Sequence, residues 1–314
     1  MPRKTARTAR YNPLTLRMAI NLSAPHTWPA AIMPTLVAIC AASAVSPVSV
    51  SMSLVLLVIV ILMQSAVNTF NDYYDYVKGS DSQDDYVDPS DAVLVYNNID
   101  PKSALRLAIG MLAFAFVLGI YAIVKAGFVP LVIALVGALF VVLYSAGKSP
   151  ISYLPLGELV SGVVMGGLIP LAVYQVITGD LDFLILLMSI PTVIGVGLIM
   201  FTNNTCDIER DIPSGRKTLS VILGRDKAVA WYHIAVIVWI VDIVVNVAIW
   251  FRPGLIVVPF MLLAVYPLVK ALFSNPMTPE RRLQAMPQIL SVNIVLGAFY
   301  CAAMLAPSGV ALVL

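Results

Sequence analysis

The sequence predicts an all-α, polytopic membrane protein with about nine transmembrane helices and a cytoplasmic N-terminus. Three observations carry that prediction. Sixty per cent of the 314 residues are hydrophobic and 11% are charged, where soluble domains average about 25% charged. Apolar runs of bilayer length, which takes about 20 residues, recur over 28–46, 50–70, 104–124, 127–146, 156–177, 182–203, 227–250, 254–273 and 287–311. Counting sides alternately from an inside N-terminus puts 17 of the 19 Lys and Arg residues on one side, leaving Lys125 and Arg252 on the other. That asymmetry is the positive-inside pattern of cytoplasmic loops.

In chain order, residues 1–20 read as a basic cytoplasmic arm. Arg3, Lys4, Arg7, Arg10 and Arg17 suit it to anionic headgroups. Asn12, Pro13 and Asn21 interrupt what would be the apolar core of a signal peptide. Residues 21–314 form one intramembrane domain, since the connections between spans are mostly too short for a separate soluble domain. Loop 71–103 is the longest polar break and holds eight of the 17 acidic residues, and Pro89 and Pro101 oppose one continuous helix through it. Loop 204–226 is the second polar break, with a turn signal at Pro213-Ser214-Gly215. Each loop follows an even-numbered span, and each opens with an Asn four residues before an Asp, as in a distant internal repeat. Cys40, Cys206 and Cys301 lie far apart and read as small buried side chains. Nothing in the chain points to a nucleic-acid partner; the surroundings are the lipid bilayer of a cell membrane.

The chemistry concentrates in the two breaks. Asn68, Asn71, Asp72 and Asp75 stand at i, i+3, i+4 and i+7, one stripe at the cytoplasmic end of the second span, with Asp81 beyond. Asn203, Asp207 and Asp211 stand at i, i+4 and i+8, a second stripe with Asn204 beside it. An acidic residue at the centre of a membrane helix costs roughly 2.5–3.5 kcal/mol on insertion scales, and folding alone gives no reason to set two carboxylate clusters beside such helices. Their oxygens are hard donors suited to Mg²⁺, which takes one or two carboxylates together with waters and substrate phosphates. Lys148, four residues after Tyr144, and Arg216-Lys217, after the second stripe, supply positive charge on the same side. Each of these bases alone reads as an interface anchor; beside two acid clusters they read as phosphate contacts.

Asn68-x-x-Asn71-Asp72-x-x-Asp75-x-x-x-Gly79-x-Asp81, Tyr144-x-x-x-Lys148 and Asp207-x-x-x-Asp211 resemble the motifs of the UbiA-type intramembrane prenyltransferases. Within that superfamily the text of 71–81, Leu156-Gly157-Glu158 and 203–219 is most similar to the 1,4-dihydroxy-2-naphthoate polyprenyltransferase branch of menaquinone synthesis. Where members often carry an Arg late in the first loop, 88–98 has no basic residue. The resemblance implies helices around a central cavity and an active site facing the cytoplasm. It implies catalytic roles for Asp72, Asp75, Asp207, Asp211, Lys148 and Tyr144. Metal binding falls to Asn68, Asp72, Asp75, Asp81, Asp207 and Asp211. Substrate contacts fall to Asn68, Asn71, Asn203, Asn204, Arg216, Lys217, Glu158 and Tyr174.

The implied reaction is Mg²⁺-dependent transfer of a polyprenyl group from a polyprenyl diphosphate to an aromatic acceptor, dihydroxynaphthoate, giving demethylmenaquinone. Tyr73, Tyr74, Tyr144, Tyr153 and Tyr174 are candidates to face the cationic region. Another aromatic or lipid acceptor is the alternative. A secondary transporter is the rival of a different class, but carriers place their acids near the bilayer midplane, whereas these clusters lie at one predicted face.

Overall fold

The computed structural model describes residues 11–79, 93–145, 150–306 and 312–313. Its membrane helices are numbered here in chain order. Six are long and apolar enough to cross a bilayer: α2 (Val50–Lys78), α3 (Pro101–Ala126), α5 (Gly157–Thr178), α7 (Arg225–Trp250), α8 (Val258–Phe273, entered through a 3-10 turn at Arg252–Val257) and α9 (Arg282–Leu305). Three shorter apolar helices, α1 (Pro29–Ser43), α4 (Val129–Ser145) and α6 (Ile190–Cys206), occupy the other predicted runs. Among the described residues the only sheet is a two-residue parallel pairing of Val48–Ser49 with Leu312–Val313. Backbone groups in lipid must bond within their own segment, so helices carry the fold.

Most helices adjacent in sequence pack side by side, and α1 touches α2, α5 and α9. The main core lies among α6, α7, α8 and α9, around Tyr232, Trp239, Ile243 and Leu296. Small residues set the closest approaches, as is general for helices in lipid. A Cβ on Gly166 would fall 2.5 Å from the Val193 backbone, so α5 and α6 meet there only because the side chain is missing. At this point α5 relaxes into a π-turn over Val164–Leu168. The Gly166 carbonyl accepts from Thr192 Oγ1 at 2.6 Å, so the looser ladder leaves no orphan there.

The first acidic motif lies on α2, which ends at Gly79 with φ 72°, the left-handed cap that glycine adopts without strain. The second motif departs from the expected single helix. α6 stops at Cys206, Asp207 leaves helical geometry at φ −98°, ψ 11°, and a short turn resumes over Ile208–Asp211. The Asp211 amide still donates to the Asp207 carbonyl at 2.8 Å, so the two acids stay one turn apart across the break. The turn at 213–215 forms as expected, with Gly215 at φ 73°.

The predicted boundary at residue 20 falls inside a helix, Leu16–Leu22. Asn12 pairs with the backbone of Asn97 and Asn98, and Leu22 is buried with Val93, Leu94 and Ile99. The described part of the arm therefore packs under the end of α2. Cys40, Cys206 and Cys301 are buried and free, as expected.

Candidate active site

The two acidic motifs meet. Arg216 Nη2 lies 3.5 Å from Asp75 Oδ1, and Nη1 lies 3.6 Å from Asp211 Oδ1. One guanidinium thus joins carboxylates from the end of α2 and the turn after α6. It also stacks over the Tyr153 ring at 4.9 Å, a cation–π contact, and the Lys217 amide donates to the Tyr153 carbonyl at 2.8 Å. Burial works against the Arg216 charge, but Asp75 and Asp211 outweigh it and hold its pKa above the ordinary value. Burial raises the Asp211 carboxyl to about 6, only partly opposed by Arg216. Asp211 also accepts from Thr218 Oγ1 at 3.4 Å.

Asp207, the other acid of the second motif, is paired from a third direction. Arg282, at the start of α9, places Nε 3.2 Å from Asp207 Oδ1 and donates from Nη2 to Asn203 Oδ1 at 2.7 Å. The sequence reading missed Arg282 because it stands beside Arg281 and reads as one more positive-inside anchor.

Asp72 also has partners in the first loop. It is 5% exposed and accepts from the amides of Val93 and Leu94 at 2.7 and 3.3 Å. It braces the far end of the first loop against α2. Asn204, expected to touch substrate, holds another expected contact: its Nδ2 donates to Glu158 Oε1 at 2.8 Å. Glu158 and Asn204 are both buried, and Glu158 Oε2 has no hydrogen-bond partner. Tyr174 lies sixteen residues beyond Glu158 on α5, roughly 24 Å along the helix. Its carbonyl accepts from Thr178, at the opposite end of the span. That position removes it from the site, because a straight span carries its two ends to opposite faces. Lys217 is exposed. Lys148 and Asp81 lie outside the described residues.

Behind the carboxylates a cavity of about 380 Å³ runs between α2, α3, α4 and α5. Asn68, Asn71 and Tyr144 mark its polar end, and its walls are otherwise largely apolar, including Val60, Phe116 and Met165. Asn68 is fixed by donating to Thr27 Oγ1 at 2.8 Å and the Ser23 carbonyl at 3.1 Å. Tyr144 donates to Met200 Sδ at 3.2 Å and lies beside Gly157, where an added Cβ would sit 3.4 Å from its hydroxyl. Asp75 is one helical turn beyond Asn71, so the apolar chamber ends in amides and then in carboxylates.

Among the described residues, no three acid, imidazole or thiol groups converge closely enough to cage a metal by themselves. The donors that do converge are hard oxygens already facing positive charge: Asp75 and Asp211 around Arg216, Asn203 and Asp207 around Arg282. That set fits Mg²⁺, which completes its shell with water and phosphate oxygens.

The UbiA prenyltransferase family matches residues 31–309. The chain is 33% identical over 281 residues to the 1,4-dihydroxy-2-naphthoate octaprenyltransferase of Bacillus subtilis (strain 168), covering 88% of each chain. It is 26% identical over 265 residues to UbiA prenyltransferase domain-containing protein 1 of Homo sapiens, covering 79% of this chain and 71% of that one. Among solved structures, a UbiA homologue from Aeropyrum pernix K1 in its apo form superposes with a TM-score of 0.64 at 16% identity, covering 86% of this chain and 96% of that one. A UbiA homologue from Archaeoglobus fulgidus bound to DMAPP and Mg²⁺ gives 0.61 at 14% identity, covering 92% and 98%. At such identity the superpositions show a shared fold.

Proposed function

The chain belongs to the UbiA prenyltransferase family and is a prenyltransferase, and we propose that it transfers a polyprenyl group from its diphosphate to 1,4-dihydroxy-2-naphthoate, giving the quinol form of demethylmenaquinone with release of CO₂ and diphosphate. The observation that carries this reading is the junction at Arg216, where both acidic motifs meet beside the polar end of an apolar cavity. An isoprenoid diphosphate has that division, a charged head on an apolar tail. The relatives support the substrates: one is named for dihydroxynaphthoate and an octaprenyl group, and a solved neighbour holds DMAPP and Mg²⁺.

In this reading Asp75, Asp207, Asp211 and the amide oxygen of Asn203 would hold Mg²⁺, while Asp72 braces the loop beside them. Bound there, Mg²⁺ would offset the diphosphate charge and make it a better leaving group. Arg216 holds the diphosphate through a fork of donors matched to phosphate oxygens, helped by Lys217 and Lys148. Asn68 and Asn71 orient the head at the cavity mouth, and the apolar walls keep water from the allylic carbon as its C–O bond breaks. Tyr144 offers a ring face to the charge that develops there. Glu158, held by Asn204, accepts a hydrogen bond from an acceptor hydroxyl, which makes the ring more nucleophilic. Loss of CO₂ from the attacked ring then restores aromaticity. The site faces the cytoplasm of a cell membrane, on the side of most basic residues.

The test is direct. Purified protein with Mg²⁺, dihydroxynaphthoate and labelled octaprenyl diphosphate should yield a prenylated, decarboxylated quinol. Turnover of 4-hydroxybenzoate with rejection of dihydroxynaphthoate would move the chain to another acceptor. Failure to consume any prenyl diphosphate with either would overturn the assignment.

A further inference from the structure

The positive charge on the second motif comes from outside both motifs. Arg282 opens α9 and is only 8% exposed, yet its guanidinium faces Asp207 Oδ1 at 3.2 Å and Asn203 Oδ1 at 2.7 Å. These oxygens lie at the C-terminal end of α6, where the helix dipole adds negative potential. A carboxylate and an amide oxygen one turn apart at a helix C-terminus form a pair of hard donors for a divalent cation. The guanidinium occupies that pair. Arg216 does the same between Asp75 and Asp211, so on each side of the site an arginine sits where the donors converge. A guanidinium and a divalent cation cannot share one carboxylate oxygen at these distances without strong like-charge repulsion.

We propose that Arg282 is a resident counter-charge of the active site. This rests on the reading that the site takes a divalent cation and a diphosphate. In the metal-free protein Arg282 keeps Asn203 and Asp207 oriented and their charge balanced inside the membrane. When the cation takes those oxygens, the displaced fork of N–H donors is left for the phosphate oxygens that enter with it, which guanidinium geometry matches. Arg282 therefore opposes metal binding alone and favours diphosphate binding.

Those opposite signs are the test. Binding of Mn²⁺, a spin-active substitute for Mg²⁺, is followed by the EPR signal of the free ion at pH 8. Inorganic pyrophosphate is then titrated in the presence of Mn²⁺. Arg282→Gln should bind Mn²⁺ about tenfold more tightly than wild type, because a nearby positive charge is gone. It should bind pyrophosphate about tenfold more weakly. Arg282→Lys keeps the charge on a looser stem without the fork. It should fall between the two proteins on both measurements, and it decides the matter if the glutamine variant does not fold. Unchanged or weaker Mn²⁺ binding in Arg282→Gln, or wild-type pyrophosphate affinity in Arg282→Lys, would overturn the proposal and leave Arg282 as scaffold. Wild-type protein that binds neither Mn²⁺ nor pyrophosphate would instead overturn the reading of the site itself.

Discussion

Asp75 and Arg216 form an ion pair at 3.5 Å between the end of α2 and the turn after α6. It joins segments that lie far apart in the chain. Because Arg216 also reaches Asp211 at 3.6 Å, the pair makes one site out of two motifs. Neither carboxylate could be held so near the other without the charge between them, since like charges at such range oppose joint ionisation.

Arg216→Ala should therefore do two kinds of damage. It leaves two carboxylates facing each other and removes the forked diphosphate contact. Removing one partner of a buried pair costs about 3–5 kcal/mol; with Asp75 30% exposed, solvent screening should bring the loss of stability to about 1–3 kcal/mol. The loss in kcat/KM should be roughly 10²–10³-fold, in the range seen when one preorganised electrostatic contact is deleted. Arg216→Lys should recover stability better than activity, because an ammonium supplies the charge and not the fork. Steady-state kinetics beside thermal denaturation would show this. A lysine variant with wild-type kcat/KM would mean that the fork does not matter.

The raised Asp211 carboxyl predicts a pH dependence with a definite sign. Its pKa goes from an ordinary 3.8 to about 6, chiefly through burial. Between about pH 4 and about pH 6 the metal-free folded protein thus holds a proton that the unfolded chain has released. That contribution to stability is full below about 4 and is lost as pH rises through about 6. Metal binding runs the other way, since a ligating carboxylate must be ionised. Mg²⁺ affinity should be level above about pH 7 and weaken by about tenfold per pH unit below about 6, with Asp211→Asn abolishing the dependence. Titrations of Mn²⁺ from pH 5 to 8 would reveal it, and a flat profile in wild type would rule it out.

Much of this was readable in the sequence, and the reasons differ by residue. The membrane helices follow from apolar runs that only a bilayer explains, and α2 carries Asn68 to Asp75 as one stripe because nothing interrupts it before Gly79. Spacing could not reveal where each side chain turns. Asp72 and Asp75 are three residues apart on one face, yet Asp72 takes two backbone amides from beyond the loop and Asp75 takes Arg216. Nor could spacing show the break at Asp207. Tyr174 was misplaced even though the alternation of sides puts residue 174 near the outer end of the fifth span, away from a cytoplasmic site. Arg282 was missed because its partners lie far away in sequence and its neighbourhood is that of any loop anchor.

The proposed cytoplasmic orientation of the site rests on the distribution of basic residues and can be tested at the two ends of the bundle. Ser214 is exposed in the turn beyond the second motif. Asp180, past the end of α5, is exposed near the opposite end of the bundle, where Gln175 donates to the Ala126 carbonyl beside Lys125. In a protein with Cys40, Cys206 and Cys301 replaced, a cysteine at 214 should react with an impermeant thiol reagent only from the inner face, and one at 180 only from the outer. Labelling of position 214 from outside would reverse the assignment of the site to the cytoplasm.

Glu158 gives the sharpest test of how the acceptor is held. It is buried at the start of α5, and Asn204 engages one oxygen at 2.8 Å. The other oxygen has no hydrogen-bond partner, and an acceptor left unpaired in so dry a place costs about 1–3 kcal/mol. A substrate hydroxyl would remove that cost. Glu158→Gln keeps the shape, removes the charge and presents a donor in place of an acceptor. It should lower kcat with dihydroxynaphthoate about 10²-fold, the scale of one positioned proton acceptor. Pyrophosphate binding should stay as in wild type, because Arg216, Asp75 and Asp211 are untouched. Asn204→Ala should show a milder form of the same split, since the carboxylate remains but is no longer held. If Glu158→Gln weakened pyrophosphate and acceptor alike, the carboxylate would belong to the diphosphate half of the site, and another group would have to supply the hydroxyl contact.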